Sequence, residues 1–561
     1  MSSRLRAGIA GAAGAVVAFG LTELVHGLFE RIPSIFVSLA QAVIKLTPGE
    51  FVTRGIETLG TADIPVLVSS LVVGALIVAG LLGILSVRRP LVALLVVGVL
   101  AVIAITAAFA QPFIAPVPTI LTVIVSLWAG CTVTSALLSA AGLRAGKSKS
   151  ETAPAGPADD PRSPVMRSRE AHSEGGIAVG RGGFLLLSGG AAAAGLAAVG
   201  AGRLLAGQNA PEAAAPRKLK LPEAPKPASN KSSAKSKEDG AQKVAVKHQT
   251  LPPPDPKASL DVPGMPPLIT PAKDFYLIDT VLQSPRIDVN TWKLSVKGAV
   301  DNPVEFSYKD LLGMSTREVD VTLSCVSNEV GGGLISNGRW TGVLLSDVLK
   351  EAGVSRDKIS RASRQLVGRS VDGWTSGFKT EIALDGREAL VAFGLNGSEL
   401  PIKHGYPVRL VVPGLYGYVS ATKWITEIEL TNWNFDAYWI QRTWSKEGPI
   451  KTQSRFDTVK DGDNLSAGKV QVGGVAWAPH RGISKVEVST DGGSSWNEAR
   501  LAKQLDIDTW RQYVYDWDAR PGDYTLQVRA TDGDGQTQTS QTAPPHPSGA
   551  TGYDTIQVSV A

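Results

Sequence analysis

The chain has 561 residues, 44% of them hydrophobic and 19% charged, with a formal net charge of +5. That length exceeds what one core holds and implies roughly three or four structural units. The small positive charge is spread over loops and a linker, with no basic patch interleaved with aromatics, which argues against a nucleic-acid partner.

Residues 1–145 hold four long apolar stretches, 7–29, 64–86, 90–110 and 117–142. Each reaches the ~20 residues needed to cross a bilayer core. The segment 34–46 is amphipathic, with Lys45 and Pro48 near its end, and reads as an interfacial helix. Arg4 and Arg6 precede the first stretch, Arg88 and Arg89 fill the turn between the second and third, and Arg144, Lys147, Lys149, Arg162, Arg167 and Arg169 follow the fourth. The positive-inside rule then puts the N-terminus and a loop at 146–183 in the cytoplasm. A fifth stretch, 184–205, is rich in Gly and Ala. It opens with Gly180-Arg181-Gly182-Gly183-Phe184-Leu185, similar to a twin-arginine export signal whose second arginine is glycine. A removed leader and a retained anchor both fit this stretch; its place after four spans favours the anchor.

With five spans the remaining chain lies outside the cytoplasm. The only histidine of the spans is His26, beside Glu23, and an intramembrane haem needs two axial ligands, so the bundle reads as an anchor or docking surface. Without an internal repeat or a buried charged pathway, solute transport is a poor reading. Cys131 reads as a small packing residue.

Residues 206–264 are rich in Pro, Ala and Lys, as in PEAPKPASNKSSAKSKEDG, and read as an extended tether. Residues 265–464 then show short strand-like runs at 292–300, 319–325 and 406–414 and a helical pattern at 343–354, without the regular strand–helix alternation of a doubly wound sheet. An α+β fold is expected. Cys325 closes one of these strands and enters Gly331-Gly332-Gly333. Taken alone, a cysteine so placed is usually a buried packing residue. Cys131 and Cys325 are the only cysteines, too few for a four-thiolate iron–sulfur cluster, and neither stands in a Cys-x-x-Cys-His haem motif.

Four blocks occur in order: TLSCVSNEVGGGLISNGRWTG around Cys325, ISNGRWTGVLLSDVL, LNGSELPIKHGYPVRLVVPGLYGY and KWITEIEL. Together they resemble the molybdopterin domain of the sulfite oxidase family. The resemblance implies a molybdenum–molybdopterin cofactor with Cys325 as the thiolate ligand to the metal. It places Asn328, Arg339, His404, Arg409 and Lys423 in the shell that binds the pterin and its phosphate. A soft sulfur suits molybdenum, and fixed cationic donors suit a phosphate.

The chain also departs from the sulfite-oxidising pattern. Leu277, in FYLIDT, stands where an arginine is expected, Glu329 and Val330 replace basic residues, and Trp444 aligns with the active-site tyrosine. Arg442 or Lys446 is a candidate to replace the lost charge. An anionic substrate wants desolvated positive charge, so a neutral oxo-acceptor such as a sulfoxide is the alternative to sulfite.

Residues 465–561 alternate apolar and polar side chains at 470–477, 484–490 and 524–532, with Asp-Gly and Pro-Gly turns between. They are expected to form an immunoglobulin-like sandwich. They are similar to the family's dimerisation domain, which implies a homodimer.

The expectation is a multi-domain chain: a transmembrane helical bundle, a sulfite-oxidase-like α+β molybdopterin domain and a β-sandwich. Its expected place is the cell membrane, multi-pass, with the catalytic domain extracytoplasmic. Its expected function is transfer of an oxygen atom to or from a small sulfur-type oxo donor or acceptor. Electrons would be exchanged with a cytochrome or other carrier. A non-catalytic binding protein that kept the fold is the competing class.

Overall fold

Each apolar run ahead of residue 145 forms a helix in the computed structural model, which describes residues 1–29, 31–47, 51, 55, 63–111, 114–143, 179–208, 218, 219, 221 and 247–561. The helices are α1 (Ser3–Leu28), α2 (Ile35–Leu46), α3 (Asp63–Arg88), α4 (Pro90–Phe109), α5 (Pro116–Ala140) and α6 (Arg181–Gln208). Five of them are long and apolar enough to cross a membrane, by length and composition. Most of the expected loop at 146–183 lies outside the described residues.

Glycine sets how closely α1 meets its neighbours. A Cβ at Gly20 would lie 2.3 Å from the Gly195 carbonyl oxygen, and one at Gly27 would lie 2.2 Å from that of Gly202. The seven-residue spacing on both helices keeps one glycine seam facing the other, so α1 and α6 touch backbone to backbone. Glu23 and His26 serve the α1–α2 turn: Ser34 Oγ donates to Glu23 Oε1 at 2.6 Å, and His26 Nδ1 lies 2.6 Å from the Ile32 carbonyl oxygen.

The chain from Ala214 to Ala561 is a second compact unit. Its first sheet has the order β1 (His248–Gln249), β4 (Thr316–Ser324), β5 (Ile335–Leu344), β8 (Leu390–Leu395), β10 (Arg409–Val411), with β9 (Ser398–Glu399) paired to β8. The second sheet runs β3 (Val304–Ser307), β2 (Lys293–Gly298), β11 (Ile425–Thr431), β6 (Gln365–Ser370), β7 (Thr375–Lys379). Short helices α7 (Tyr308–Gly313), α8 (Leu345–Glu351) and α9 (Gly417–Ser420) connect strands, giving an α+β arrangement. A capping box at Ser307 and Asp310 starts α7.

Two further sheets follow: β12 (Gln453–Phe456), β14 (Gly468–Trp477), β18 (Arg511–Ala519), β17 (Arg500–Leu501), and β13 (Asn464–Leu465), β20 (Asp554–Val560), β19 (Gly522–Asp532), β15 (Ile483–Ser489), β16 (Asn497–Glu498). They share a core that includes Val472, Val486, Tyr513, Leu526 and Val558. This β-rich region begins at Gln453, ahead of the expected 465, because β12 pairs with β14. It is also welded to what precedes it: Val475, Trp477 and Trp510 are part of the preceding region's core.

The expected tether is shorter than its composition suggests. Leu219 donates its backbone N–H to Gly397 and packs on the core, and from Lys247 onward the chain is docked, with β1 beside β4.

Candidate functional site

Cys325 is the first residue beyond β4. Its N–H donates to the Leu334 carbonyl at 2.9 Å and its own carbonyl accepts from Asn328 at 3.1 Å. Ser324 pairs with Ile335, so the two central strands β4 and β5 close the base of a loop running from 325 to 334. A sulfur at the end of a buried strand is held by the sheet, while the thiol itself stays half-buried. Asn328 is buried; its Oδ1 accepts from Leu334 N at 2.7 Å, and its Nδ2 is buried without an acceptor.

The β-rich region grips the far side of this loop. Arg455 Nη1 donates to the Gly332 carbonyl at 2.8 Å and its Nε pairs with Asp457 at 3.0 Å. Gly331 has φ +73°, and a Cβ there would lie 2.5 Å from Asp554 Oδ1. Burial pushes the carboxyls of both Asp457 and Asp554 up.

Charged and polar groups from other segments gather nearby, and Lys423 acts on the sulfur electrostatically. Arg409 opens β10, His404 ends the turn Ile402–His404, and Lys423 lies between α9 and β11. Gly405, with φ +107°, lets two of them meet: its Cβ would be 3.0 Å from Arg409 Cβ and 3.2 Å from Lys423 Cα. Arg409 is 4% exposed. Its guanidinium donates to the carbonyls of Leu410 (3.3 Å) and His404 (3.1 Å) and lies 5.0 Å over the Trp340 ring. It makes no ion pair with a carboxylate among the described residues, and burial draws its pKa down to about 10.

Lys423 Nζ donates to Asp279 Oδ1 (2.7 Å), the Lys403 carbonyl (2.9 Å) and the Ile278 carbonyl (3.3 Å). All three of its donors are engaged. Burial lowers it to about 8, while burial raises its partner Asp279. Burial, then the Lys423 and Arg409 charges, push His404 down to about 3, so its imidazole is neutral. Burial pushes the Cys325 thiol up, against hydrogen bonding from Ser327. The free thiol is therefore protonated near neutral pH, and a bound metal cation is what stabilises the thiolate.

The structure thus brings Cys325, Asn328, His404, Arg409 and Lys423 to one place. Three members escaped the sequence reading. Tyr276 interacts electrostatically with Cys325, Arg409 and Asp279; Asp279 binds Lys423; and Tyr416, pushed by burial to about 12, also feels Cys325. The polar residues flanking Leu277 in FYLIDT were the available signal for the first two.

Arg339 does not join this group. Its Nε and Nη2 hold both oxygens of Asp320 at 2.8 Å, and its Nη1 donates to the Pro252 carbonyl at 2.8 Å. The β4–β5 register sets it directly opposite Asp320, and the pair ties strand to strand. Trp444 packs edge-on to Trp439 (6.1 Å) and His546 (5.1 Å) and at a tilt to Tyr418 (5.9 Å), with its indole N–H buried and without an acceptor. Glu329 is exposed, Lys446 pairs with Asp436 at 2.7 Å, and Arg442 is buried over the Tyr438 ring at 3.7 Å.

These residues suit a large anionic cofactor that carries a metal. Two buried cations face one carboxylate, the imidazole is neutral, and Arg409 has only neutral acceptors. A phosphate supplies the missing negative charge. The sulfur supplies one soft ligand.

Residues 281–439 match the family model described as oxidoreductase molybdopterin binding domain, and residues 447–541 match the Mo-co oxidoreductase dimerisation domain. Mitochondrial sulfite oxidase of Rattus norvegicus is 32% identical over 271 residues, covering 42% of this chain and 49% of that protein. Sulfite oxidase of Arabidopsis thaliana is 28% identical over 264 residues, covering 39% of this chain and 67% of that protein. The solved structure of the sulfane dehydrogenase SoxCD from Paracoccus pantotrophus aligns over 51% of this chain and 77% of its own, at 24% identity and a TM-score of 0.43. The chain spans about half the length (49%) of the rat relative.

Proposed function

The chain belongs, through residues 281–439 and 447–541, to the sulfite oxidase family of molybdopterin-dependent oxidoreductases, and from that premise we propose that it is a membrane-tethered member acting on a small sulfur-type substrate. When bound, the cofactor supplies two-electron oxygen-atom exchange at molybdenum. The rest is the work of this chain's side chains. Cys325 Sγ would hold the metal. Arg409 would offer its buried guanidinium to the phosphate. His404, neutral at physiological pH, would hydrogen-bond the cofactor's polar edge. Lys423, held by Asp279, adds positive charge from behind. Asn328 and the Arg455–Gly332 contact keep the cysteine loop in place.

One observation carries the reading: Arg409, 4% exposed and grouped with the Cys325 site through Tyr276, has backbone carbonyls as its only hydrogen-bond acceptors among the described residues. A buried guanidinium costs several kcal/mol unless an anion meets it, and a cofactor phosphate is that anion.

Sulfoxide reduction is favoured over sulfite oxidation by the chain segment next to Cys325. Leu277 and Ile278 are 42% and 47% exposed there, and Lys423 is already paired with Asp279 and is itself largely buried. Among the described residues such a rim offers no unpaired cation to an anionic substrate. Electrons are exchanged with an external carrier of the cytochrome type. We read the two C-terminal sheets as an immunoglobulin-like dimerisation unit, and five spans with their basic flanks support a catalytic part outside the cytoplasm.

The test is molybdenum and pterin analysis of the purified protein, with turnover of sulfite and of sulfoxides measured against artificial electron mediators. A correctly folded protein that takes up neither metal nor pterin refutes the enzymatic reading and leaves the non-catalytic one. Turnover of sulfite but not of sulfoxides refutes the substrate assignment alone.

A further inference from the structure

We propose that the N-terminal helices bind one anionic membrane phospholipid, with an acyl chain in the cleft between α1, α3, α4 and α5 and the head group on Arg88 and Arg89. The proposal rests on the reading that these helices span a bilayer, and it is independent of the chemistry at Cys325.

The cleft has a volume of about 580 Å³. On α1 its wall is Gly11, Gly14, Ala15 and Ala18, continuing past Phe19 to Thr22. That spacing is one face of a helix, and its first four members are too small to fill the gap. From Gly11 to Thr22 the wall runs roughly 16 Å at 1.5 Å per residue. One leaflet of a ~30 Å hydrocarbon core has about the same depth. The cleft is therefore as long as a single leaflet's acyl chain.

Its lining is mostly hydrocarbon. Three of the hydroxyls that border it are satisfied within their own helices: Ser86 donates to the Gly83 carbonyl at 2.8 Å, Thr134 to that of Gly130 at 2.9 Å, and Thr22 to that of Phe19 at 2.8 Å. Among the described residues that line it there is no carboxylate, amine, guanidinium or imidazole. A quinone ring, which needs proton-carrying partners, finds none there. An acyl chain needs none.

The head-group end follows from sequence position. Ser86 and Pro90 both line one end of the cleft, and the two residues between them in the turn that joins α3 to α4 are Arg88 and, next to it, Arg89. Both arginines are exposed and form no ion pair among the described residues. Two guanidiniums at the mouth of a hydrocarbon cleft complement a phosphodiester head.

Cys131 lines the cleft and forms no disulfide, so it serves as a reporter. Full-length protein purified in mild detergent is expected to retain one phosphatidylglycerol per chain by native mass spectrometry and lipid extraction. Added phosphatidylglycerol is expected to slow labelling of Cys131 by an apolar maleimide, with phosphatidylcholine weaker by roughly 30-fold, about fivefold for each cation. R88Q/R89Q, at exposed positions, should erase that preference while the chain still binds. Ala18→Trp should abolish lipid protection of Cys131. Retention of no lipid, equal protection by both lipids, or stoichiometric isoprenoid quinone instead of phospholipid overturns the proposal. Release of the protein from membranes by alkaline carbonate instead overturns the membrane reading, and with it the basis of the proposal.

Discussion

Replacing Gly331 by alanine tests the contact between the cysteine loop and the β-rich region. The new Cβ would stand 2.5 Å from Asp554 Oδ1 and 2.9 Å from its Cγ, on a backbone with φ +73°. The left-handed conformation alone costs an alanine about 1 kcal/mol. Relief of the clash requires Asp554 to turn away. That carboxylate is 9% exposed and accepts from Phe456 N at 2.8 Å, a buried bond whose loss costs roughly 1–3 kcal/mol. The sum is about 2–4 kcal/mol, or roughly 3–6 °C in Tm for a unit of this size. Gly333 is the internal control. It is exposed, its Cβ would meet nothing within 4 Å, and its φ is not in the left-handed range. Gly333→Ala should stay within about 0.5 kcal/mol of the parent. Thermal unfolding followed by tryptophan fluorescence reads the difference, and molybdenum content reads whether Cys325 is still held. If the two variants melt together, the Asp554 contact does not hold the loop.

Four further outcomes are expected. Cys325→Ser should keep the stability of cofactor-free protein within about 1 kcal/mol of the parent and abolish turnover; undiminished turnover removes the thiolate assignment. Arg409→Met should leave cofactor-free protein as stable or up to a few kcal/mol more stable, because a buried cation without a carboxylate is replaced by packing. Its molybdenum occupancy should fall several-fold, and full occupancy takes Arg409 out of the site.

His404, held near pKa 3 in the folded chain against an ordinary 6.5, takes up a proton in the unfolded chain first. Stability should therefore be complete above pH 6.5 and fall by up to ~1.4 kcal/mol per pH unit from there toward pH 3. His404→Gln should flatten that limb in denaturant titrations. Gly195→Leu would drive a side chain into the α1 backbone, where a Cβ already falls 2.5 Å from the Val16 carbonyl oxygen. It should lower the detergent-stable yield of full-length protein, and unchanged yield refutes the glycine seam.

Much of the site was legible because its signals are local. Cys325 ends a run of alternating and apolar residues and precedes three glycines, and the structure sets it at the end of β4 before a loop. His404 and Arg409 lie five residues apart in one block and fold onto one another through a hydrogen bond at 3.1 Å. Arg339 shows the limit of such reading. The family resemblance placed it in the cofactor shell, yet strand pairing gave it Asp320. Tyr276 and Asp279 lie within a stretch already singled out, but nothing local says that Asp279 meets Lys423, 144 residues away.

Sequence alone determined the five membrane-length helices, the strand that leads into Cys325 and the β-rich C-terminal region. Each depends on hydrophobic periodicity and turn residues, which act over a few neighbours along the chain. Only the tertiary structure decided which cations face the sulfur, which are neutralised elsewhere, and that Arg455 and Asp554 hold the loop from a separate pair of sheets. Those facts depend on strand register and on what is desolvated together, and Coulomb energy between groups far apart in sequence exists only after the chain has folded.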